Sequence, residues 1–387
     1  MFKILTLNNI SPVGLERFPG ERYKIASEAA APDAILLRSH DMHAYEVPSS
    51  LKAVARAGVG VNNIPINGMN ERGIPVFNTP GANANAVKEL VLAGMFLSAR
   101  NICQAWDYVR SLDGDDASLS EQVEAGKKQF VGFELPGRTL GVIGLGAVGV
   151  LVANAALKLG MRVVGYDPDL TVRRAWQLSS EAVQAVSLDD LLSRADFVSI
   201  HVPLSDRTRD LINADGIRKM RDAATLLNFS RHGIVSDAAV GEALDKCKLN
   251  AYICDFPTAL LKSHPRVLAL PHIGASTREA EQNCAVMASN QLREFLENGN
   301  ITNSVNFPEV VMPPISAARV ALVNANVPNM LGQISTTLAN AGLNILDMFN
   351  KSKDELAYTL ADVEGEIPAT VLGELAAIDG VLSVRSI

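Results

Sequence analysis

The stretch that most constrains this chain is TLGVIGLGAVGVLVANAAL, which runs from Thr139 to Leu157 without a charged side chain. Its length and apolarity raise the possibility of a membrane-spanning helix. Four glycines fall within its first eleven residues, however, and each weakens a helix by roughly 1 kcal/mol. The pattern instead predicts a strand, TLGVI, then a turn, GLGAVG, then a helix that begins at Ala147.

The predicted turn places Gly144, Gly146 and Gly149 in the spacing G-x-G-x-x-G. Between a strand and a helix, this spacing suits a dinucleotide: the first glycine turns the chain, the second admits the pyrophosphate, and the third lets the helix pack on the strand. A second predicted strand, MRVVGYD, ends at Asp167, where a carboxylate accepts hydrogen bonds from ribose hydroxyls. The sequence therefore predicts NAD rather than NADP; the alternative is that Asp167 is a turn or helix N-cap residue before Pro168.

Short β-rich runs continue downstream, with helical or loop segments between them. They are DFVSIHVP, ATLLNFS, AYICDF and RVLALP. In SLDDLLSRA, the pair Ser187 and Asp190 predicts a capped helix. This alternation predicts a parallel, doubly wound sheet, in which ligands bind beyond the carboxyl ends of the strands. The residues that follow these runs, Val202, Ser230, Arg231, Asp255 and His272, are therefore candidate site residues.

The rest of the chain predicts two smaller units. The first hundred residues contain the candidate strands FKILTL, AILLRS, KAVARAG and IPVFNTP, and a long helix from about Ser276 to Gly299 returns the chain to them. The proline-containing stretch that follows predicts a linker, and the pattern from Ala317 onward is β-α-β-β-α-β, a ferredoxin-like order. The predicted units are residues 1–97 with 276–305, residues 98–275, a linker at 306–316, and residues 317–387.

Composition excludes several classes of function. The chain has 35 basic and 42 acidic residues, a net charge of -7, and no basic block that would follow nucleic acid. Its four cysteines are scattered, which predicts reduced thiols and no metal site. The N-terminal stretch MFKILTLNNISP lacks the apolar region and cleavage site of a signal peptide. We therefore expect a cytoplasmic protein with no membrane partner.

Five motifs, in order and spacing, resemble the D-isomer-specific 2-hydroxyacid dehydrogenases. They are VFNTPGANANAVKELVLAGMF, GRTLGVIGLGAVG, VVGYDP, LLNFSRHGIV and LPHIGAST. The resemblance implies an α/β protein in which an NAD-binding Rossmann domain is inserted in a flavodoxin-like substrate-binding domain. The C-terminal unit resembles the ACT domain, a ferredoxin-like regulatory domain that some members carry.

The resemblance assigns catalytic roles to two residues. His272, in PHIGAST, matches the histidine that accepts the hydroxyl proton during oxidation, and imidazole suits this because its ordinary pKa of about 6.5 lies near working pH. Arg231, in FSRHG, matches the arginine that holds the substrate carboxylate through its guanidinium fork. Without the motifs, a loop histidine and a surface cation would be the simpler interpretations.

The resemblance also implies contacts with cofactor and substrate. Asp255 matches the aspartate that fixes the nicotinamide amide. The implied cofactor-binding positions are Thr79, Gly144, Gly146, Ala147, Val148, Gly149, Asp167, Val202, Phe229, Ser230, Arg231, Asp255, His272, Gly274 and Ala275. The implied substrate-binding positions are Arg38, Ser39, Val59, Gly60, Asn83, Arg231 and His272. Arg56, Lys127 and Lys128 are weaker candidates for the cation that a phosphorylated acid requires.

The sequence departs from the family pattern next to the catalytic residues. Members carry a glutamate that pairs with the histidine, whereas no carboxylate lies between Asp255 and His272 here. An acid from elsewhere substitutes, or His272 works unaided; we expect reduction of the keto acid to fall off at a lower pH than in members with the glutamate. His232 stands where members usually have glycine.

The C-terminal unit carries candidate effector residues. Asn324, Asn326 and Asn344 match positions at which members bind serine between paired domains, although Asn329 replaces the usual glycine. A dimerisation module without a ligand is the alternative.

The resemblance predicts NAD-dependent oxidation of 3-phospho-D-glycerate to 3-phosphohydroxypyruvate, the first step of serine biosynthesis. Two alternatives stay open: reduction of glyoxylate or hydroxypyruvate by the same chemistry, and a binding protein that senses NAD without catalysis. We expect a small-molecule substrate and assembly as a homodimer or homotetramer.

Overall fold

The computed structural model describes residues 1–315 and 318–387 and divides into two compact units. The first unit comprises residues 1–83 and 278–387, and the second comprises residues 84–277. The first division differs from the predicted boundary after residue 97, because helix α3 (Ala84–Ala99) buries Val87, Val91 and Met95 in the core of the second unit. The boundary predicted between residues 316 and 317 lies outside the described residues.

The first unit begins with a five-stranded parallel sheet in the order β2-β1-β3-β4-β5, the order of flavodoxin-like folds. Its strands are β1 (Phe2–Leu7), β2 (Tyr23–Ala26), β3 (Ala34–Leu37), β4 (Ala53–Arg56) and β5 (Val76–Phe77). Its short helices are α1 (Pro12–Leu15) and α2 (Ile66–Glu71). Four of the five strands are predicted from the sequence, and β2 is missed because Lys24 interrupts its apolar residues and charged residues lie on both sides of it.

The second unit holds a seven-stranded parallel sheet in the order β12-β11-β10-β9-β6-β7-β8. The strands are β6 (Thr139–Ile143), β7 (Arg162–Tyr166), β8 (Val183–Gln184), β9 (Phe197–Ile200), β10 (Ala224–Asn228), β11 (Leu249–Cys254) and β12 (Val267–Ala269). Because β6 lies between β7 and β9, the direction of winding changes there, and this change of direction is where doubly wound sheets bind ligands. The predicted parallel sheet is confirmed.

The helices of the second unit join these strands. After α3 come α4 (Ile102–Arg110), α5 (Asp116–Gly126), α6 (Ala147–Lys158), α7 (Val172–Ala175), α8 (Leu188–Arg194), α9 (Ala214–Lys219) and α10 (Asp237–Asp245). The predicted cap of α8 is confirmed: Ser187 Oγ accepts a hydrogen bond from the Asp190 N–H at 3.1 Å. The stretch from Thr139 is a strand, a turn and a helix, and none of the helices within 1–315 and 318–387 has the length and apolarity to span a bilayer.

The chain returns to the first unit through α11 (Arg278–Asn298), which ends before Gly299 at a φ of +74°. A four-stranded antiparallel sheet follows, in the order β14-β15-β13-β16. Its elements are β13 (Ala318–Ala325), α12 (Met330–Asn340), β14 (Ile345–Lys353), β15 (Leu356–Val363), α13 (Ala369–Ala376) and β16 (Val381–Ser386). The predicted β-α-β-β-α-β order is confirmed.

Both faces of the antiparallel sheet are covered. Val320, Leu322 and Val363 pack with apolar residues of α12 and α13 on one face. Tyr358 and Leu360 on the other face share a core with residues of β1, β3, β4 and α11. The antiparallel sheet is therefore continuous with the core of the first unit.

The segment between α11 and β13 differs from the linker that its prolines predict. Ile301, Phe307, Val310 and Met312 are buried in the core of the first unit. Ile301 and Val310 also pair through their backbones, at 2.8 and 3.0 Å. Because these apolar residues follow neither a helical nor a strand period, the sequence pattern does not reveal that they are packed.

A buried ion pair joins the antiparallel sheet to the end of α11. Arg319 donates to both carboxylate oxygens of Asp362, at 2.6 and 2.9 Å, and both side chains are almost fully buried. Arg319 Nη1 also donates to the carbonyls of Asn298 and Met312. Burial raises the pKa of Asp362, but the hydrogen bonds from Arg319 and Ile315 outweigh it and hold that pKa below its usual range.

Candidate active site

The glycine turn after β6 has the geometry that its spacing predicts. Gly144 has a φ of +89°, and a side chain on Gly149 would lie 1.9 Å from the Gly144 carbonyl oxygen. Apart from Gly146 itself and the residues next to it in the chain, no described residue comes within 4 Å of the position that a Cβ on Gly146 would take. The turn is therefore tight, close-packed against α6, and open at Gly146, where α6 begins.

Asp167 follows β7 and holds this turn. Its Oδ2 accepts a hydrogen bond from the Leu145 N–H at 2.8 Å, and its Oδ1 accepts from the Asp169 N–H at 2.9 Å. The carboxylate is thus a turn residue, while the next helix, α7, has Thr171 as its N-cap. Each carboxylate oxygen retains accepting capacity for a ribose hydroxyl, so the open turn and this acid fit NAD.

The loop that carries Arg231 is fixed by a buried amide at the end of β10. Asn228 accepts from the Ser230 N–H at 3.1 Å and donates to the Arg231 carbonyl at 2.9 Å. Ser230 Oγ donates to the Ile200 carbonyl at the end of β9. The Arg231 side chain is exposed, and its Nη1 donates to the Ser230 carbonyl at 2.6 Å. The loop is held by its backbone, which leaves most of the guanidinium donors available.

The loop that carries His272 is fixed by the buried carboxylate of Asp255. Asp255 Oδ1 accepts from the Ile273 N–H at 2.8 Å, and Oδ2 accepts from the Gly274 N–H at 2.7 Å. The backbone of His272 has a φ of +56°, a left-handed conformation that residues other than glycine rarely adopt. Its exposed ring lies against Phe256, at 5.0 Å between centroids. Two hydrogen bonds therefore hold the residues that follow the histidine.

The two loops leave the same edge of one sheet. Arg231 and His272 follow β10 and β12, which flank β11 in the parallel sheet. Neighbouring strands lie about 4.8 Å apart, so these two strands are about 10 Å apart. None of the ion pairs among residues 1–315 and 318–387 involves His272. The described residues therefore show no carboxylate that takes the place of the family's glutamate beside the histidine.

A third polar group at this edge, which is half-buried, is absent from the predicted site. His201 follows β9, its N–H donates to the Ile143 carbonyl, and its Nε2 lies 2.9 Å from Ser199 Oγ. Burial lowers the pKa of His201 to about 3, so the imidazole is neutral at physiological pH. It lies near the end of the predicted run DFVSIHVP, and a titratable side chain at that end of a strand is the signal that could have marked it.

The first unit gathers a separate cluster of charged and polar side chains. Arg38 and Arg56 stand at the carboxyl ends of β3 and β4, and Thr79 follows β5. Arg38 Nη2 lies 2.8 Å from Glu281 Oε1 on α11. Thr79 is fully buried and lies beside the buried thiol of Cys284, on the next turn of α11. We call these five residues the arginine cluster.

The remaining predicted residues are distributed over both units. Ser39, Val59, Gly60 and Asn83 lie in loops of the first unit, and the Ser39 N–H donates to Asn8 Oδ1 at 3.0 Å. In the second unit, Val202 lies against Gly144, and Phe229 is buried. Ala147 and Val148 begin α6, and Ala275 is half-buried.

The weaker candidates face solvent in the second unit. Lys127 pairs with Glu124 on α5, and both side chains are more than half exposed. Lys128 and His232 are also exposed. Neither lysine belongs to the unit that contains the arginine cluster.

The candidate effector residues lie in the antiparallel sheet region. Asn324 is buried and donates to the Ala325 carbonyl, while its Oδ1 has no hydrogen-bond partner within the part of the chain that the structure describes. Asn326 donates to the Asp354 carbonyl at 3.1 Å, and Asn344 donates to Glu364 at 3.3 Å. Effector binding by these residues stays a prediction.

Comparisons with known proteins agree with this geometry. The chain is 35% identical over 324 residues to D-3-phosphoglycerate dehydrogenase of Methanocaldococcus jannaschii, covering 82% of this chain and 58% of the relative. It is 33% identical over 353 residues to D-3-phosphoglycerate dehydrogenase of Haemophilus influenzae, covering 88% and 82%. The chain thus spans little more than half of the length of the first relative and most of the second.

A solved structure and a family model show the same fold. D-mandelate dehydrogenase of Rhodotorula graminis superposes with a TM-score of 0.67 at 22% identity, covering 81% of this chain and 99% of that one. Fold and site define an α/β protein of the doubly wound class, with the glycine turn at which that class binds dinucleotides. Residues 92–274 match the model "D-isomer specific 2-hydroxyacid dehydrogenase, NAD binding domain". The chain belongs to the D-isomer specific 2-hydroxyacid dehydrogenase family, as the motifs predict.

Proposed function

We propose that this protein oxidises 3-phospho-D-glycerate to 3-phosphohydroxypyruvate with NAD, the first step of serine biosynthesis. The observation that carries the proposal is that each unit contains its own group of side chains suited to one end of such a substrate. The second unit presents Arg231 and His272 from one sheet edge, and the first unit gathers Arg38 and Arg56. A phosphorylated 2-hydroxy acid has the two anionic groups that such arginines bind. Relatives named D-3-phosphoglycerate dehydrogenase support the same substrate.

The residues of the second unit divide the chemistry between them. The glycine turn and Asp167 would hold NAD, which supplies the hydride acceptor when bound. Arg231 binds the substrate carboxylate and orients the carbon that carries the hydroxyl group. His272 accepts the hydroxyl proton at an imidazole nitrogen and returns it in the reverse direction. Asp255 and Asn228 set the positions of these two loops through backbone hydrogen bonds.

In this proposal, the arginine cluster binds the substrate phosphate. Leu37 and Arg56 are register partners in the neighbouring parallel strands β3 and β4, so Arg38 and Arg56 stand at adjacent strand ends. A dianionic phosphate beside two arginines gains charge-assisted hydrogen bonds that a neutral hydroxymethyl group does not. This difference favours the phosphorylated acid over glyoxylate and hydroxypyruvate.

The test is formation of NADH by the purified chain with 3-phosphoglycerate. We expect turnover that greatly exceeds that with D-glycerate, and a loss of at least about 100-fold in His272→Ala. Preferred reduction of glyoxylate or hydroxypyruvate would favour the alternative enzyme. NAD binding without turnover of any of these acids would favour an NAD-sensing protein.

Regulation and assembly belong to the same proposal. The ferredoxin-like order of the C-terminal sheet supports an ACT-type domain with serine as its effector, and calorimetry with millimolar serine tests it: absence of heat favours a module without a ligand. We infer a homodimer through α4, which exposes Ile102, Trp106 and Val109 on one side. The four free thiols support a reducing, cytoplasmic location.

A further inference from the structure

The guanidinium group of Arg38 forms an ion pair with a carboxylate of the same chain. Its Nη2 lies 2.8 Å from Oε1 of Glu281, and the two side chains are 39% and 44% exposed. Arg38 directly follows β3, and Glu281 is the fourth residue of α11. The pair therefore joins the carboxyl edge of the parallel sheet to the start of the long helix.

This ion pair belongs to the arginine cluster rather than to an isolated patch of surface. Burial raises the pKa of the Cys284 thiol; Thr79, Arg38 and Arg56 lower it, and Glu281 raises it. Three charged groups thus act on one sulfur atom. With two arginines and one glutamate, the cluster has a single net positive charge. Without Glu281, a phosphate would meet two positive charges.

We propose that Glu281 competes with the anionic end of the substrate for Arg38 and so weakens the binding of the phosphorylated acid. The inference rests on the proposed function, because it takes the substrate phosphate as the competing anion. A phosphate dianion can replace the carboxylate on Arg38, since it offers more negative charge and three acceptor oxygens. A neutral hydroxymethyl group cannot replace it and leaves the pair closed.

The exposure of the pair sets the size of the effect. Ion pairs that are open to solvent contribute little, because water screens their attraction. Displacement of Glu281 therefore raises the KM for the phosphorylated acid by a few-fold rather than by orders of magnitude. The competition lowers the affinity for the phosphorylated acid and leaves the affinity for the unphosphorylated acid unchanged.

The test replaces Glu281 by glutamine, which keeps the shape and a hydrogen-bond acceptor for Arg38. In Glu281→Gln we expect the KM for 3-phosphoglycerate to fall about two- to five-fold, with kcat changed by less than about two-fold. The inhibition constant of inorganic phosphate should fall by a similar factor, and the KM for D-glycerate should stay the same. Glu28→Gln, which removes the same charge from an exposed side chain of the first unit, is the matched control.

A second variant shows whether Glu281 acts through Arg38. In the Arg38→Ala background, Glu281→Gln should change neither the KM for 3-phosphoglycerate nor the inhibition constant of phosphate. A lower KM in both backgrounds would mean general electrostatics, and a KM that rises in Glu281→Gln alone would mean that Glu281 positions Arg38 for the substrate. Either result overturns the proposal.

Failure of the inference and failure of the proposed function give different results. If the chain oxidises 3-phosphoglycerate and Glu281→Gln matches the wild type, only the competition is wrong. If neither protein oxidises 3-phosphoglycerate while an unphosphorylated acid is turned over, the proposed substrate is wrong. In that case, an unchanged inhibition constant of inorganic phosphate in Glu281→Gln also overturns the competition.

Discussion

The ring of Phe256 lies 5.0 Å from the ring of His272, centroid to centroid, with 55° between the two planes. Where the family resemblance implies a glutamate beside the histidine, this chain places an aromatic side chain. Contact with an aromatic ring orients the imidazole without supplying an acceptor for its N–H. Packing, rather than an ion pair, is thus the observed constraint on this side chain.

Removal of that contact should lower kcat more than it raises KM. An aromatic pair contributes about 0.5–1.5 kcal/mol, so Phe256→Leu should lower kcat by about two- to ten-fold because the imidazole samples more orientations. Steady-state kinetics with 3-phosphoglycerate measure this. Phe349→Leu, on the exposed face of β14, should match the wild type. An unchanged kcat in Phe256→Leu would show that the ring contact does not orient the histidine.

Replacement of Asp255 by asparagine should affect both stability and turnover. The amide offers one acceptor oxygen, and its NH2 group would face the Ile273 or Gly274 N–H, so one hydrogen bond to a charged group is lost. We expect the free energy of unfolding to fall by about 1.5–3 kcal/mol. We also expect a lower kcat, because the loop of His272 is no longer fixed.

Urea unfolding and steady-state kinetics on the same preparation measure both effects. The matched control is Asp222→Asn, which removes an exposed carboxylate paired with Lys248 and should cost less than about 1 kcal/mol. Wild-type stability together with wild-type kcat in Asp255→Asn would contradict the role assigned to this carboxylate.

His201 should make the stability of the second unit depend on pH in the acid range. Burial lowers its pKa to about 3, whereas an unfolded histidine titrates near about 6.5. Between these values the unfolded chain binds a proton that the folded chain does not bind. The free energy of unfolding therefore falls as the pH falls, by at most about 1.4 kcal/mol per pH unit from this group.

The variant His201→Gln should flatten this dependence. Urea unfolding at about pH 7, 6 and 5 gives the slope for the wild type and for the variant. His43→Gln removes an exposed histidine of the first unit and should leave the wild-type slope in place. Equal slopes for His201→Gln and the wild type would show that His201 takes up its proton in the folded state.

The exposed face of α4 should decide the oligomeric state. Trp106 and Val109 are 61% and 54% exposed, and every residue of α4 is at least partly exposed. A negative charge in a desolvated interface is costly, so Trp106→Glu should convert the dimer to a monomer in light scattering. Trp176→Glu, which changes a tryptophan that is 87% exposed beside α7, should retain the wild-type mass. A dimeric Trp106→Glu would place the interface elsewhere.

Much of the second unit can be predicted from sequence because most of its strands are short apolar runs that are followed closely by a polar residue, glycine or proline. Six of its seven strands are predicted in this way, and β8 is missed because Val183 and Gln184 are both exposed. Local signals also predict the cap at Ser187 and the helix end at Gly299. These features depend on residues that are close to one another in the sequence.

The features that sequence does not predict depend on distant contacts. Asp255 accepts hydrogen bonds from the backbone N–H groups of Ile273 and Gly274, which lie 18 and 19 positions later in the sequence. A sequence motif does not show which backbone N–H groups a carboxylate will contact. Arg38 and Glu281 lie on elements that meet only in the folded first unit. The packed segment around Phe307 is missed because its apolar residues have no regular period.

The covered antiparallel sheet has a consequence for how the chain can be shortened. Tyr358 donates to the Gly299 carbonyl at 2.7 Å, and the Arg385 guanidinium lies 4.0 Å from the centre of the Phe295 ring. A truncation before β13 would strip these partners from the last turn of α11 and leave Phe295 and Phe307 open to water. The sheet is not a detachable module: within the first unit, the parallel sheet, α11 and the antiparallel sheet share one hydrophobic core.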